Sequence, residues 1–143
     1  MPEIKSIADL AGQAGVPLSR IMAYHAERDP DRPALTIAGD TITRRELDLA
    51  SNRLARAYGK LGVKPGDYVT IGLPNGLEFI IAAFAAWKCG ATPNPISWRL
   101  PLAEAQGIVD LVQPALVVGG PDELAARARV APGYTPDLAL SDA

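Results

Sequence analysis

Apolar positions along this chain follow a helical period in some stretches and a strand period in others, and most changes of period fall at Gly, Pro or Asp. Leu18, Ile21, Met22 and His25 recur at helical spacing ahead of a turn at Asp29-Pro30-Asp31-Arg32-Pro33. Ala34-Leu35-Thr36-Ile37-Ala38 and Thr41-Ile42-Thr43 flank Gly39-Asp40, a connection that predicts a β-hairpin. Thr43-Arg44-Arg45-Glu46 spells a capping box: the threonine hydroxyl accepts from the amide of Glu46, whose carboxylate reaches back to the cap's own N–H. Leu47, Ala50, Ser51, Leu54, Tyr58 and Leu61 then mark a helix ending at Gly62. Arg44, Arg45, Asp48, Asn52, Arg53 and Arg56 fall mostly on its other faces and form a solvated surface, because no group of backbone donors accompanies them.

The stretch Tyr68–Ile96 organises the rest. Lys64-Pro65-Gly66-Asp67 has the residues of a type II turn and leads into the β-branched strand Tyr68–Leu73. Pro74-Asn75-Gly76 breaks that strand, and Asn75 is the expected N-cap of the next helix. Leu77–Lys88 is apolar on nearly every face, which predicts a buried helix, with Glu78 and Lys88 placed to suit its dipole. Gly90 is its stop, and residues 91–96 resume an extended path. A strand, a buried helix and a second extended segment imply a right-handed crossover in a parallel sheet.

Ser97-Trp98-Arg99 forms a loop, and Pro101 suits the first position of another helix, striped by Leu102, Ala105, Ile108, Val109 and Val112. Gly107 inside it costs about 1 kcal/mol relative to alanine unless close packing needs it. Pro114 ends this helix, 115–118 is a short buried strand, and Asp122–Arg129 is expected to form one more short helix. From Val130 onward Pro, Gly and Asp leave no period, which predicts a loop or frayed end. The expected organisation is therefore lead-in helices over 1–33, hairpin and helix over 34–66, a βαβαβα core over 67–129, and a loop over 130–143. The fold class is α/β: a mainly parallel sheet with helices on both faces and a leading β-hairpin.

Composition adds exclusions. The chain has 143 residues, 48% hydrophobic and 21% charged, with a net charge of −2 and both signs spread along it. That suits one globular domain and lacks the basic footprint of a nucleic-acid binder. Cys89 is the single cysteine, so no disulfide framework forms and a reducing, cytoplasmic setting is expected. Residues 1–5 lack the pattern of a signal peptide. The longest apolar run, 79–87, is shorter than the roughly 20 residues of a transmembrane span.

Motifs for chemistry are mostly absent: there is no G-x-G-x-x-G, no G-x-x-x-x-G-K-[ST], no G-x-S-x-G, no C-x-x-C and no H-E-x-x-H. His25, the single histidine, has no ligand partners at metal-binding spacing and is expected to be a packed or rim residue. Cys89, with no histidine near it in sequence, is expected to be a structural thiol. No catalytic residue and no metal ligand is assigned within this chain.

Thr41-Ile42-Thr43-Arg44-Arg45-Glu46-Leu47 resembles the first core motif of the adenylate-forming (AMP-binding) superfamily, T-Y-x-E-L, with Ile42 and the spacing around it departing from the pattern. Residues 87–95, WKCGATPNP, resemble the second, L-K-A-G-A-x-x-x-P. Between them, residues 62–69 and 73–79 are similar to the family's G-V-x-x-G-D-x-V and L-x-N-S-x-E-F stretches, and residues 25–34 match its lead-in. The resemblance covers roughly His25 to Val118, and among the branches it is most like an acyl-CoA synthetase.

That resemblance implies an N-terminal subdomain of the adenylate-forming fold, incomplete by itself, from an ATP-dependent carboxylate–CoA ligase. In such enzymes a carboxylate attacks the α-phosphate of ATP, giving acyl-adenylate and pyrophosphate, and the thiol of coenzyme A displaces AMP. Mg²⁺, a phosphate loop and a lysine stabilise the charge that develops. The loop T-S-G-T-T-G-x-P-K-G, the later acidic motif and the C-terminal lysine do not occur here, so this N-terminal fragment is expected to be inactive alone. The ATP and Mg²⁺ sites are expected in the remainder of the enzyme chain. What the resemblance places within this chain is a coenzyme A side: Ser97, Trp98 and Arg99 near pantetheine and nucleotide, and Arg127 and Arg129 toward phosphates. Guanidinium groups pair bidentately with phosphate, and Trp98 offers a face on which adenine stacks. The implied partners are a carboxylic-acid substrate and the rest of the enzyme, with no nucleic acid; a homodimer is left open. The alternative is a standalone, non-catalytic α/β binding or regulatory module.

Overall fold

The computed structural model describes residues 17–135. A 3-10 turn at Leu18–Arg20 leads into helix α1 (Ile21–Arg28), followed by strands β1 (Pro33–Ile37) and β2 (Asp40–Thr43). Helix α2 (Arg44–Lys60), strand β3 (Tyr68–Gly72), helix α3 (Leu77–Lys88) and strand β4 (Thr92–Pro95) come next. Helix α4 (Leu102–Val112) and strands β5 (Leu116–Gly119) and β6 (Arg129–Val130) complete the order. The expected lead-in structure before residue 17 and the end after residue 135 lie outside the described residues.

The antiparallel hairpin turns one residue earlier than the sequence suggests. Ala38 and Gly39, both at positive φ, form the turn, and Asp40 already pairs with Ile37. The capping box is present as expected: Thr43 Oγ1 accepts from the Glu46 N–H and Glu46 Oε1 accepts from the Thr43 N–H, each at 3.2 Å. The turn before β3 also closes as read, through the Asp67 N–H on the Lys64 carbonyl at 3.1 Å.

The second sheet has the order β4-β3-β5-β6, and every neighbouring pair is parallel. The chain steps from β3 outward to β4, then returns across β3 to β5, so its two crossover helices lie on opposite faces. On one face Val69, Ile71, Leu116 and Val118 pack with Ala82, Ala83, Ala85 and Ala86 of α3, backed by Leu54 and Tyr58 of α2. On the other, Val117 packs with Ala105 and Val109 of α4 and with Leu124. The hairpin, α1 and the first turn of α2 cover the remaining side of α3 through Ile42, Met22 and Leu47. Helix α3 is fully buried along Ala82, Ala83, Ala85 and Ala86, where small side chains let neighbours approach closely, and its larger apolar residues are half-buried.

Three sequence expectations are corrected. Gly76, not Asn75, is the N-cap of α3, and no side chain caps it; Asn75 stands one residue too early and is exposed. Pro101 is the N-cap of α4 rather than its first residue, and Gly107 faces open space, so no packing offsets its helix cost. Asp122–Arg129 is not a helix. Arg129 takes the carbonyls of Gly119, Pro121, Asp122 and Leu124, while the Gln106 side chain takes both the N–H and the carbonyl of Ala125. With those groups claimed by side chains, the segment runs as a loop into β6, and the core ends βαβαββ.

Lys88 ties α2 to α3. Its ammonium donates to Asp48 Oδ1 at 2.6 Å, Asn52 Oδ1 at 2.7 Å and the Asp48 carbonyl at 3.0 Å, which uses all its protons. The lysine and aspartate side chains are only 8% and 17% exposed. Removing one member of such a pair leaves the other charge stranded in a poorly hydrated place. Lys88→Met is expected to lower the free energy of unfolding by about 3 kcal/mol in urea titration, and adding Asp48→Asn is expected to recover part of that loss. A loss under about 1 kcal/mol would class the pair with ordinary surface ion pairs.

Candidate functional site

Beyond the C-terminal ends of β3 and β4 lies an open cleft of about 460 Å³, lined by Leu73, Asn75, Phe79, Pro95, Ile96, Ser97 and Trp98. This is where the chain's crossover direction reverses, the position at which open α/β sheets bind ligands. Its walls follow from local structure. The alternation of β3 sends Leu73 into the core rim, the bend 74–76 exposes Asn75, and the first turn of α3 brings Phe79 across. Ile96 is tied to β3 by its N–H on the Ile71 carbonyl at 2.9 Å.

The loop after β4 carries the polar rim. Ser97 Oγ accepts from the Arg99 N–H at 3.3 Å, and the Arg99 guanidinium lies over the Trp98 ring, 4.7 Å from its centroid. Trp98 is nonetheless 48% exposed. A half-exposed indole beside a guanidinium offers both a stacking face and a phosphate donor.

Of the residues singled out in the sequence, Ser97, Trp98 and Arg99 therefore come together, the first two as cleft lining. Arg127 and Arg129 lie after β5 and do not line the cleft. Arg127 is exposed, while Arg129 is half-buried with both terminal nitrogens donating to the chain's own carbonyls. A guanidinium so engaged does not fit a phosphate ligand. Leu73, Asn75, Phe79, Pro95 and Ile96 escaped the sequence reading as site residues. The signal that marks them is their place at the ends of parallel strands. Among the described residues no group of acidic, His or Cys side chains could hold a metal ion.

His25 sits half-buried at the end of α1, edge-on to Tyr24. Cys89 donates its thiol to the Ala55 carbonyl at 3.2 Å, and burial pushes its pKa up, the opposite of an activated nucleophile. No helix among the described residues is long and apolar enough to cross a membrane.

Comparison with known proteins fits this geometry. The family described as AMP-binding enzyme matches residues 22–139, well over half of the chain. The chain belongs to the AMP-binding enzyme family. The salicyl-AMP ligase / salicyl-S-ArCP synthetase of Mycobacterium tuberculosis is 40% identical over 85 residues, which cover 56% of this chain and 15% of that protein. Among solved structures, the fatty acyl-adenylate ligase from L. pneumophila superposes with a TM-score of 0.74 at 25% identity, over 88% of this chain and 25% of that one. A fatty acyl CoA synthetase of Mycobacterium tuberculosis superposes at 0.67 with 26% identity, over 71% of this chain and 21% of that one. This AMP-binding enzyme chain thus spans a minor part of each relative, and its fold is that of their N-terminal subdomain.

The half-buried thiol carries a pH dependence. Folding keeps Cys89 protonated above its ordinary value of 9.0, so beyond that pH the unfolded chain sheds a proton that the folded chain retains, and stability falls as pH rises. Tyr58 is pushed up by its burial, with smaller contributions from Glu78, Cys89 and Tyr134, and steepens the loss above its ordinary 10.0. Urea unfolding from about pH 7 to about pH 10.5 is expected to show this decline. Cys89→Ala is expected to delay its onset to the tyrosine range; an unchanged onset would remove the thiol from the account.

Proposed function

We propose that this chain is the N-terminal scaffold of a cytoplasmic, ATP-dependent carboxylate–CoA ligase, and that the loop Ser97-Trp98-Arg99 receives the nucleotide end of coenzyme A. The observation that carries this reading is the Trp98–Arg99 pair at the mouth of the cleft. A purine stacks on the indole, and the guanidinium beside it pairs with a phosphate oxygen. Arg127, exposed beyond β5, is the second phosphate donor in this reading. Family membership supports the adenylating half of the activity, because relatives include a salicyl-AMP ligase and a fatty acyl-adenylate ligase.

In the proposed reaction the carboxylate oxygen attacks the α-phosphorus of ATP and pyrophosphate leaves; the thiol sulfur then attacks the acyl carbon, loses its proton, and AMP leaves. This chain's part is positional. Its sheet fixes the thiol-acceptor side of the cleft, and the groups that grip the triphosphate and Mg²⁺ belong to the rest of the enzyme. By itself the chain is inactive in this account.

A second reading has its own support. One relative is named for transfer to an aryl carrier protein, and another is a fatty acid–[acyl-carrier-protein] ligase from Streptomyces coeruleorubidus, 32% identical over 92 residues. A carrier protein presents the same phosphopantetheine thiol but no adenosine nucleotide, so Trp98 and Arg99 separate the two.

The complete ligase, screened with ATP and coenzyme A against a panel of carboxylic acids, is expected to form an acyl-CoA thioester, whereas the 143-residue chain alone releases no pyrophosphate. Arg99→Ala and Trp98→Ala are each expected to raise the KM for coenzyme A about tenfold and to spare ATP–pyrophosphate exchange. An unchanged KM, or thioester formation only on a carrier protein, would overturn the coenzyme A assignment.

A further inference from the structure

We propose that Arg129 is a positioning residue for the thiol-acceptor side of the cleft, holding the loop Ile96–Arg99 in place through the backbone of residues 119–124. Its Nη1 donates to the carbonyls of Asp122 and Leu124, each at 2.8 Å, and its Nη2 to those of Pro121 at 2.8 Å and Gly119 at 3.0 Å. One planar fork thus gathers carbonyls from the end of β5 and the irregular stretch that follows it. Nε is buried with no partner among the described residues, a cost that goes with keeping the guanidinium at the centre of the loop.

The gathered loop presses on the cleft. The Gly120 N–H donates to the Gly72 carbonyl at 3.0 Å, drawing the loop onto the end of β3. Beside Gly72, the Gly120 backbone and Ile96 Cγ1 converge so closely that a Cβ there would lie 3.0 Å from the one and 3.3 Å from the other. Leu124, whose carbonyl Arg129 holds, is buried over Gly120 in the cluster that also contains Ile96. Ile96 is a wall of the cleft and leads directly into Ser97-Trp98-Arg99. The path is contiguous: Arg129 sets 119–124, that backbone sets Ile96, and Ile96 sets where Trp98 emerges.

Arg129→Lys keeps the charge but offers three protons on one atom, which cannot span four carbonyls as a planar fork does. Gln106→Ala is the control, since Gln106 grips the same loop at Ala125 without touching Gly119 or Leu124. With Trp87→Phe, Trp98 is the remaining tryptophan of the chain, and its quenching by acrylamide reports the loop. Arg129→Lys is expected to raise that quenching clearly while Gln106→Ala leaves it unchanged. Equal effects, or none for Arg129→Lys, would overturn the proposal.

The consequence for activity rests on the function proposed above. In the complete ligase, Arg129→Lys is expected to raise the KM for coenzyme A about tenfold with ATP–pyrophosphate exchange intact, because a small displacement of a binding loop costs affinity at that loop alone. A parallel fall in both half-reactions would make Arg129 merely structural. If the unsubstituted ligase does not use coenzyme A at all, the function reading fails, and the quenching result still decides the positioning role.

Discussion

The domain depends on how closely two strands run at one end. β3 pairs with β4 on one side and β5 on the other, and at its C-terminal end Gly72 lies opposite Gly119. A Cβ at Gly119 would meet the Gly72 carbonyl oxygen at 2.6 Å, and Gly119 also takes φ +73, where side chains are strained. Bare backbone at this point lets the loop after β5 fold back over β3 instead of climbing away from it. That closeness brings Gly120, Leu124 and Ile96 into one contact and puts the cleft against the strand ends. A residue with a side chain at 119 would force the sheet apart where ligand geometry is set.

The stretch Trp87–Pro95, which resembles a core motif of the family, consists of structural answers to successive local problems. Lys88 closes a buried polar site between α2 and α3. Gly90 ends α3 at φ +73, with its Cα face against Pro65, where a Cβ would lie 3.1 Å away. Ala91 is buried, and any larger side chain there would meet the core. The Thr92 N–H donates to the Asp67 carbonyl just before β3 and the Ile96 N–H to the Ile71 carbonyl within it, so by alternation the nitrogens of residues 93 and 95 point away from β3. Both are prolines, and the free edge of β4 presents no donor to another strand along that stretch. None of these roles involves a reacting atom.

Local chemistry was legible in the sequence, and long-range capture was not. The capping box at Thr43, the turn at Lys64–Asp67 and the buried character of α3 each follow from residues within a few positions of one another, and each is present. The helix expected at Asp122–Arg129 fails because its carbonyls answer to a guanidinium at its far end and to Gln106 on another element. No periodicity records such a competition. Arg129 was placed toward phosphates by the family resemblance, and here its guanidinium binds the chain's own backbone instead. The family resemblance pointed to Ser97, Trp98 and Arg99, which the structure brings to the rim of a cleft, whereas Leu73, Phe79 and Ile96 look like core until the topology shows which strand ends are open.

An exposed tryptophan is costly to keep in water, and its usefulness for binding depends on how little freedom it loses when a ligand arrives. Here the loop that bears it springs from a stiff origin. Pro93 and Pro95 fix their own φ angles, the Ile96 N–H is tied to β3, and the Ile96 side chain packs in one cluster with Leu124. Ser97 then receives the Arg99 N–H, and the guanidinium of Arg99 settles over the indole. Each restraint is modest alone, but all act on the same few residues and leave Trp98 little space to explore. Prolines three and five residues before Trp98, with packing at Ile96 two before it, are what tie this surface loop to the sheet.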